Sequence, residues 1–392
     1  MRLSGDVFLN PLTLFSQKRT SIHAFPFDAE RALYFYLGRT AIWHGVNALG
    51  LKKDDEVLIP SYNCGSEVEP LMKYGLKLTY YEIDDLLNLR IEEVKKKITS
   101  KTKALYITHF FGFAQPLEEI QKMCKERELF LFEDCAHSLF SSFGDRPLGS
   151  YGDVSIFSFR KSLPIPDGGV LVINNPEIEY PIPQTYNPWI YRSKDLLYLI
   201  NGHYVYSSGD PGLLHLIMGK ISDWRNNGKG LDGDGYEKRQ LHDEKITMYP
   251  EYAYFWPQIE KNYGISGVSQ KILNSVSPHL IVSKRRENFK FLLSSIKGIS
   301  QLRPIFNELP TGVCPLVFPV LVEDRESLRV QFRKKDIALG RWWQFFHEQV
   351  PWENFPEAVR LKNHLVSIPV HQDVSIPLLE KLVEELRAYY KI

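Results

Sequence analysis

The chain of 392 residues has only four cysteines, Cys64, Cys124, Cys135 and Cys314, too few for a disulfide framework and too widely spread for metal-ligand spacing. Reduced thiols in a cytoplasmic protein, with no bound metal, are the expectation. Charge of one sign is also lacking: 48 basic residues against 47 acidic ones leave a net charge of +1, with no long basic run. That excludes the electrostatic footprint of a nucleic-acid binder and points to small-molecule substrates. No stretch reaches the roughly 18 uninterrupted apolar residues of a spanning helix. The opening Met-Arg-Leu-Ser-Gly-Asp has no apolar signal core. Internal repeats and low-complexity tracts are absent too.

What is present is a chain 44% hydrophobic and 24% charged, enough to bury a large core with a smaller companion domain. Apolar residues fall at helical spacing from Asp28 to Leu51, and Glu56 to Pro60 reads as a short buried strand closed by proline. A helix from Ser66 to Tyr74 ends at Gly75. Leu76 to Ile83 and Leu105 to Thr108 are strand-like, and a charged helix from Leu117 to Arg127 precedes a strand at Leu129 to Phe132. Strands alternating with helices argue for an α/β fold with a mostly parallel sheet, whose ligands bind beyond the carboxyl ends of the strands. From Tyr180 to Pro257 the periodicity weakens and an insertion is expected. Within it, Leu196 to Ile200 and Leu213 to Met218 are apolar patches suited to packing on a second subunit or, alternatively, to a lipid surface. A long helical pattern from Ser266 to Ile296, strands near Val317 to Val322 and helices near Glu326 to Lys334 and Ile376 to Tyr389 complete a small α+β domain.

Two segments carry the chemistry. In Leu-Phe-Leu-Phe-Glu-Asp-Cys-Ala-His, residues 129–137, Asp134 stands beyond a hydrophobic strand, where it is either a turn residue or a carboxylate facing a ligand. In Phe-Ser-Phe-Arg-Lys-Ser-Leu-Pro-Ile-Pro-Asp-Gly-Gly, residues 157–169, Lys161 follows an apolar strand at Val154 to Phe157 and precedes a Pro- and Gly-rich loop. It is either a solvated surface charge or an amine projected from a fixed turn.

Together these segments resemble the DegT/DnrJ-type sugar aminotransferases, pyridoxal-phosphate (PLP) enzymes of fold type I. The resemblance implies a large domain over residues 1–265 with a mostly parallel seven-stranded sheet and the insertion at 180–257, then a small C-terminal α+β domain over 266–392. It implies Lys161 as the Schiff-base lysine and Asp134 as the carboxylate on the pyridine nitrogen, the two catalytic groups. Ser158 would bind the cofactor phosphate, with the helix start Gly38-Arg39-Thr40-Ala41 cradling it through backbone N–H groups. His137 would stack on the cofactor ring or hydrogen-bond near it. Asn262, in Asn262-Tyr263, would reach the cofactor of a neighbouring subunit, which implies a homodimer with shared active sites. The activity implied is amino transfer from glutamate to a keto-sugar, nucleotide-linked, in polysaccharide or secondary-metabolite assembly.

The chain departs from the family at several positions. Cys64 occupies the cofactor-side position where an aromatic ring is common, leaving stacking to Tyr62 or His137. The lysine loop is about two residues shorter, so Arg160 sits directly beside Lys161 as either a surface charge or a contact to phosphate or carboxylate. Arg39 replaces a small residue in the phosphate turn. Two alternative readings stand beside the aminotransferase: a non-catalytic PLP- or sugar-binding homologue, and a PLP-dependent dehydratase, in whose family branch a histidine replaces the lysine.

Overall fold

The computed structural model describes residues 2–15, 22–186, 189–208, 238–241, 244–247, 258–343 and 346–392. The first half of the chain runs β1 (Ala32–Phe35), α1 (Gly38–Ala48), β2 (Glu56–Pro60), α2 (Val68–Tyr74), β3 (Lys77–Tyr81), α3 (Ile91–Lys97), β4 (Thr102–Thr108), α4 (Leu117–Glu126) and β5 (Phe130–Asp134). A two-stranded ribbon, β6 (Ser142–Phe143) and β7 (Arg146–Pro147), leads into β8 (Val154–Ser158) and β9 (Gly169–Ile173). Seven of these strands form one sheet in the order β1-β9-β8-β5-β4-β2-β3. Strands β3, β2, β4, β5 and β8 are parallel, and only β9 runs against the rest. The central strands are buried along nearly their whole length, as parallel strands covered by helices must be.

Register brings the chemistry to one edge. Thr108 pairs with Asp134, and Asp134 with Ile156, so the carboxyl ends of β4, β5 and β8 are nearly level. The turn from β1 into α1 lies at the same edge. It packs so tightly on β9 that a Cβ at Gly169 would fall 2.1 Å from the Leu37 carbonyl oxygen, so only glycine fits there.

The structure corrects the expected elements at three places. The helical spacing at Asp28 to Leu51 conceals a strand: the apolar run Ala32–Phe35 is an edge strand pairing with β9, and the helix starts only at Gly38. Asp134 is the last residue of β5 rather than the first beyond it. The long helix expected from Ser266 to Ile296 is two, Gly267–Leu273 and Pro278–Ser295. Pro278 lacks the N–H that would continue the first, and it opens the second.

After α5 (Trp189–Ser208) and a hairpin, β10 (Lys238–Leu241) and β11 (Glu244–Thr247), the chain builds a second, antiparallel sheet. Its strands are β12 (Arg303–Pro304), β13 (Val317–Leu321), β14 (Gly340–Arg341) and β15 (Leu365–Pro369), in the order β12-β13-β15-β14. In the insertion, Leu196, Leu199 and Ile200 pack against this chain's own core, whereas Leu197 and Tyr198 stay exposed. The second apolar patch, 213–218, lies outside the described residues. Among the described residues, no helix is long and apolar enough to cross a membrane.

Candidate active site

Asp134 projects from the end of β5 with 5% of its surface exposed. Its Oδ2 accepts from the Tyr106 hydroxyl at 2.8 Å, and its Oδ1 from the Ala136 N–H at 2.8 Å. Burial pushes its pKa up, while the nearby Lys161 ammonium pulls the other way. Lys161 ends a single turn, Phe159–Lys161, that directly follows β8. That turn is held from inside: Phe159 is fully buried, its N–H donates to the Gly168 carbonyl at 2.9 Å, and its ring stacks on Phe27 at 4.7 Å. The shortened loop thus still anchors the lysine. Among the described residues its amine has no hydrogen bond or ion pair, and it lines a cavity of about 630 Å³ that Asp134 also lines.

The third side of this cavity is the start of α1. A Cβ on Gly38 would lie 3.4 Å from the Ser158 Cβ, so the helix start and Ser158 face each other closely. The first-turn N–H groups of Gly38, Arg39 and Thr40 have no intrahelical acceptors, and no side chain caps them. Of the expected cradle Gly38, Arg39, Thr40 and Ala41, the first two line the cavity and the last two do not. The Thr40 hydroxyl donates to the Glu260 carbonyl at 3.2 Å, Ala41 is buried in the core, and its N–H is bonded to the Leu37 carbonyl at 3.1 Å.

Cys64 lines the cavity, but its thiol donates to Glu67 Oε2 at 2.8 Å, and burial pushes its pKa up to about 12. It is an inert thiol. His137 and Tyr62, the two candidates for the missing stacking ring, are not in the cavity wall. His137 is buried, stacks on Phe111 with ring centroids 5.6 Å apart, and accepts the Phe111 N–H at Nδ1. Burial and Lys161 hold its pKa well below the usual histidine value, so the ring is neutral. Tyr62 is fully buried and donates to the Trp342 carbonyl at 2.5 Å. The aromatic ring that does line the cavity is Trp343, against which both pack. Asn262 sits on the other side of α1, beside Trp43 and His44, away from this chain's cavity.

Three further residues close the site that sequence reasoning did not single out. Glu67, 5% exposed, lies beneath Cys64. Arg329 and Arg341 line the cavity from the C-terminal part, and with Arg325 they share one carboxylate, Glu326, at 3.2, 2.6 and 3.0 Å. Three guanidinium groups around one carboxylate leave positive charge facing the cavity. The only sequence signal for this was the i, i+4 spacing of Arg325 and Arg329 on one helix, which does not say where that helix packs. Arg160 is 40% exposed and lies 3.8 Å from Asp195 of α5.

This donor set suits a flat heteroaromatic cofactor bearing a phosphate and a carbonyl. Free N–H groups, Ser158 and Arg39 can hold a dianion, a buried carboxylate can hold a ring N–H, and an unpaired amine can hold the carbonyl carbon.

Comparison with known proteins gives the same picture. Residues 27–187, less than half of the chain, match the DegT/DnrJ/EryC1/StrS aminotransferase family. GDP-perosamine synthase of Vibrio cholerae is 33% identical over 141 residues, which are 35% of this chain and 38% of that one. GDP-4-keto-6-deoxy-D-mannose 3-dehydratase of Escherichia coli O55:H7 is 31% identical over 131 residues, 33% of this chain and 34% of that one. The chain thus spans little more than a third of the length of these relatives. Among solved structures, Helicobacter pylori PseC, an aminotransferase involved in the biosynthesis of pseudoaminic acid, superposes with a TM-score of 0.67 at 14% identity, covering 100% of both chains. S. venezuelae DesV gives 0.65 at 17% identity, over 93% of this chain and 86% of that one. At such identities the likeness establishes the fold. Residues 27–187 are therefore similar to the DegT/DnrJ/EryC1/StrS aminotransferase family, and nearly the whole chain shares the fold of solved fold type I aminotransferases.

Proposed function

We propose that the protein is a PLP-dependent aminotransferase that moves an amino group, from glutamate, to a nucleotide-linked keto-sugar in polysaccharide or secondary-metabolite assembly. The observation that carries this reading is the convergence of Lys161 and Asp134, from the ends of neighbouring strands β8 and β5, on one cavity whose third side is the start of α1. The reading divides the chain at residues 265/266 and includes a cytoplasmic location. It also includes a homodimer with shared sites, with Asn262 on the outer side of α1 directed to the partner's cofactor.

When bound, PLP supplies an electron sink for the carbon that loses its proton. The rest falls to this chain. Asp134, buried and held by Tyr106 and Ala136, keeps the ring nitrogen protonated. The first-turn N–H groups of α1, Ser158 and Arg39 hold the phosphate. Lys161 holds the carbonyl carbon, and as a free amine it takes the proton at the substrate Cα and redelivers it. Trp343, which lines the cavity, would limit water at the bound ring. Lys161 also favours amino transfer over the dehydratase reading, since a histidine replaces it in the dehydrating branch.

The test is visible absorbance of the protein with PLP, borohydride reduction and peptide mapping. Modification at Lys161, with spectral conversion by glutamate, is the expected result. Modification elsewhere or none would sink the mechanism, and an adduct without conversion by any amine donor would favour the non-catalytic homologue.

A further inference from the structure

We propose that a second lobe of the cavity, on the other side of Lys161, is a carboxylate pocket anchored by Arg285, and that it seats the carboxylate end of the amine donor. Its assignment to a donor rests on the aminotransferase reading. The lobe itself does not. It encloses about 370 Å³ and shares Leu37, Ser158, Arg160 and Lys161 with the larger cavity. Its walls are largely apolar, with Val7, Leu199 and Val317 among them, and Arg285 also lines it.

Arg285 is 1% exposed. Its Nε donates to Gln372 Oε1 at 3.1 Å, its Nη1 to the Pro315 and Leu316 carbonyls at 3.2 and 3.0 Å, and its Nη2 to the Ser162 carbonyl at 3.2 Å. These acceptors orient the guanidinium but none neutralises it. Among the described residues no carboxylate lies within ion-pairing distance of it, and burial pushes the carboxyl of Asp373, an acidic group whose field it feels, toward its neutral form. A buried cation without a counter-ion is costly, and a guanidinium has five N–H groups, one more than is used here. A bound carboxylate would supply both the missing charge and the missing acceptor.

The roof of the lobe comes from the N-terminal segment and helix α5. Helix α5 lies along the N-terminal segment: the Leu9 N–H donates to the Leu199 carbonyl at 3.2 Å, and Tyr198 donates to Asp6 Oδ2 at 2.8 Å. The Phe8 ring fills the space over Gly202, where a Cβ would come within 2.1 Å of it. Asp6, Asp195 and Arg285 line the lobe, with Asp195 facing Arg160 at 3.8 Å and Asp6 and Arg285 leaving opposite charges at two points of its wall. That polarity suits an amino acid whose carboxylate enters and whose ammonium stays beside Lys161.

The experiment titrates the PLP-reconstituted protein with glutarate and with its uncharged diamide by calorimetry. Glutarate is expected to bind at least about tenfold more tightly than the diamide, and Arg285→Gln to lose at least about tenfold. Gly5→Trp covers the case in which that variant does not fold. Gly5 is exposed, lines the lobe, and has nothing within 4 Å of an added Cβ, so the indole can fill the lobe without disturbing Arg285. It is expected to abolish glutarate binding while the borohydride adduct at Lys161 persists. Equal binding of diamide and glutarate, or unchanged glutarate binding by Gly5→Trp, would overturn the proposal and leave the aminotransferase reading intact. Loss of glutarate binding by Gly5→Trp in a protein that forms no Lys161 adduct would support the pocket and remove its assignment to a donor.

Discussion

The two faces of β5 carry adjacent buried carboxylates in different surroundings. Glu133 is saturated: Oε1 accepts from the N–H groups of Tyr151, at 2.7 Å, and Gly152, and Oε2 from the Gly149 N–H at 3.0 Å and His109 Nε2 at 2.9 Å. His109 in turn accepts the Gln115 N–H at Nδ1, which fixes the proton on Nε2. His109, Glu133 and Cys135 have side-chain ligand atoms within 4.8 Å of one another, yet both carboxylate oxygens and both ring nitrogens are already engaged within the fold. Asp134, one residue on, has one partner per oxygen and faces a cavity and an amine. The difference teaches how to separate structural from chemical carboxylates in a buried strand: the first has every lone pair spent on its own chain, the second keeps some for a ligand.

Substitutions at the site should break this comparison in opposite directions. Lys161→Ala should abolish the borohydride adduct and lower amino transfer at least about 10³-fold, with thermal stability nearly unchanged because the amine is unpaired. Asp134→Asn should lower turnover on the order of 10²-fold and shift the unfolding midpoint little. Glu133→Gln should do the reverse, costing about 2–4 kcal/mol in urea unfolding while the folded fraction still forms the adduct at Lys161. Equal effects of the two acidic variants on stability would erase the distinction.

A smaller effect is expected where β9 supports the start of α1. Gly169→Ala forces a methyl into the Leu37 carbonyl and should cost about 1–3 kcal/mol. It should also weaken PLP binding, measured by absorbance titration, because the first turn of α1 moves.

A pH-dependent effect is expected at Lys362, fully buried with its ammonium 4.7 Å from the Trp352 ring centroid and 5.0 Å from that of Phe346. Burial lowers its pKa to about 7, against about 10.4 in an unfolded chain. Between those values the unfolded chain binds a proton that the folded protein releases, so stability should rise with pH there by about 1.4 kcal/mol per unit. Lys362→Met should flatten that rise in urea unfolding at pH 7.5 and 9.5. An unchanged slope would show that Lys362 stays charged in the fold.

Local sequence determined much of this protein. The apolar runs Glu56–Pro60, Phe130–Asp134 and Val154–Ser158 form strands because they are short, continuous and bounded by turn residues, and Gly75 ends α2 with φ of 96°. The pattern also placed Asp134 and Lys161 just after strands, at the edge where such sheets bind ligands, while their roles and that of Ser158 were given only by the family resemblance. Tertiary structure decided the rest. Ala32–Phe35 became a strand because β9 offered it an edge, Thr40 turned to the Glu260 carbonyl rather than the cavity, and Trp343 took the wall position open to Tyr62 or His137. Arg285 meets Ser162, and Arg329 meets Lys161's cavity, across more than a hundred residues of chain. Such contacts follow from how helices and sheets pack on one another, and the backbone period that shapes a single element holds no information about which distant side chain will face it.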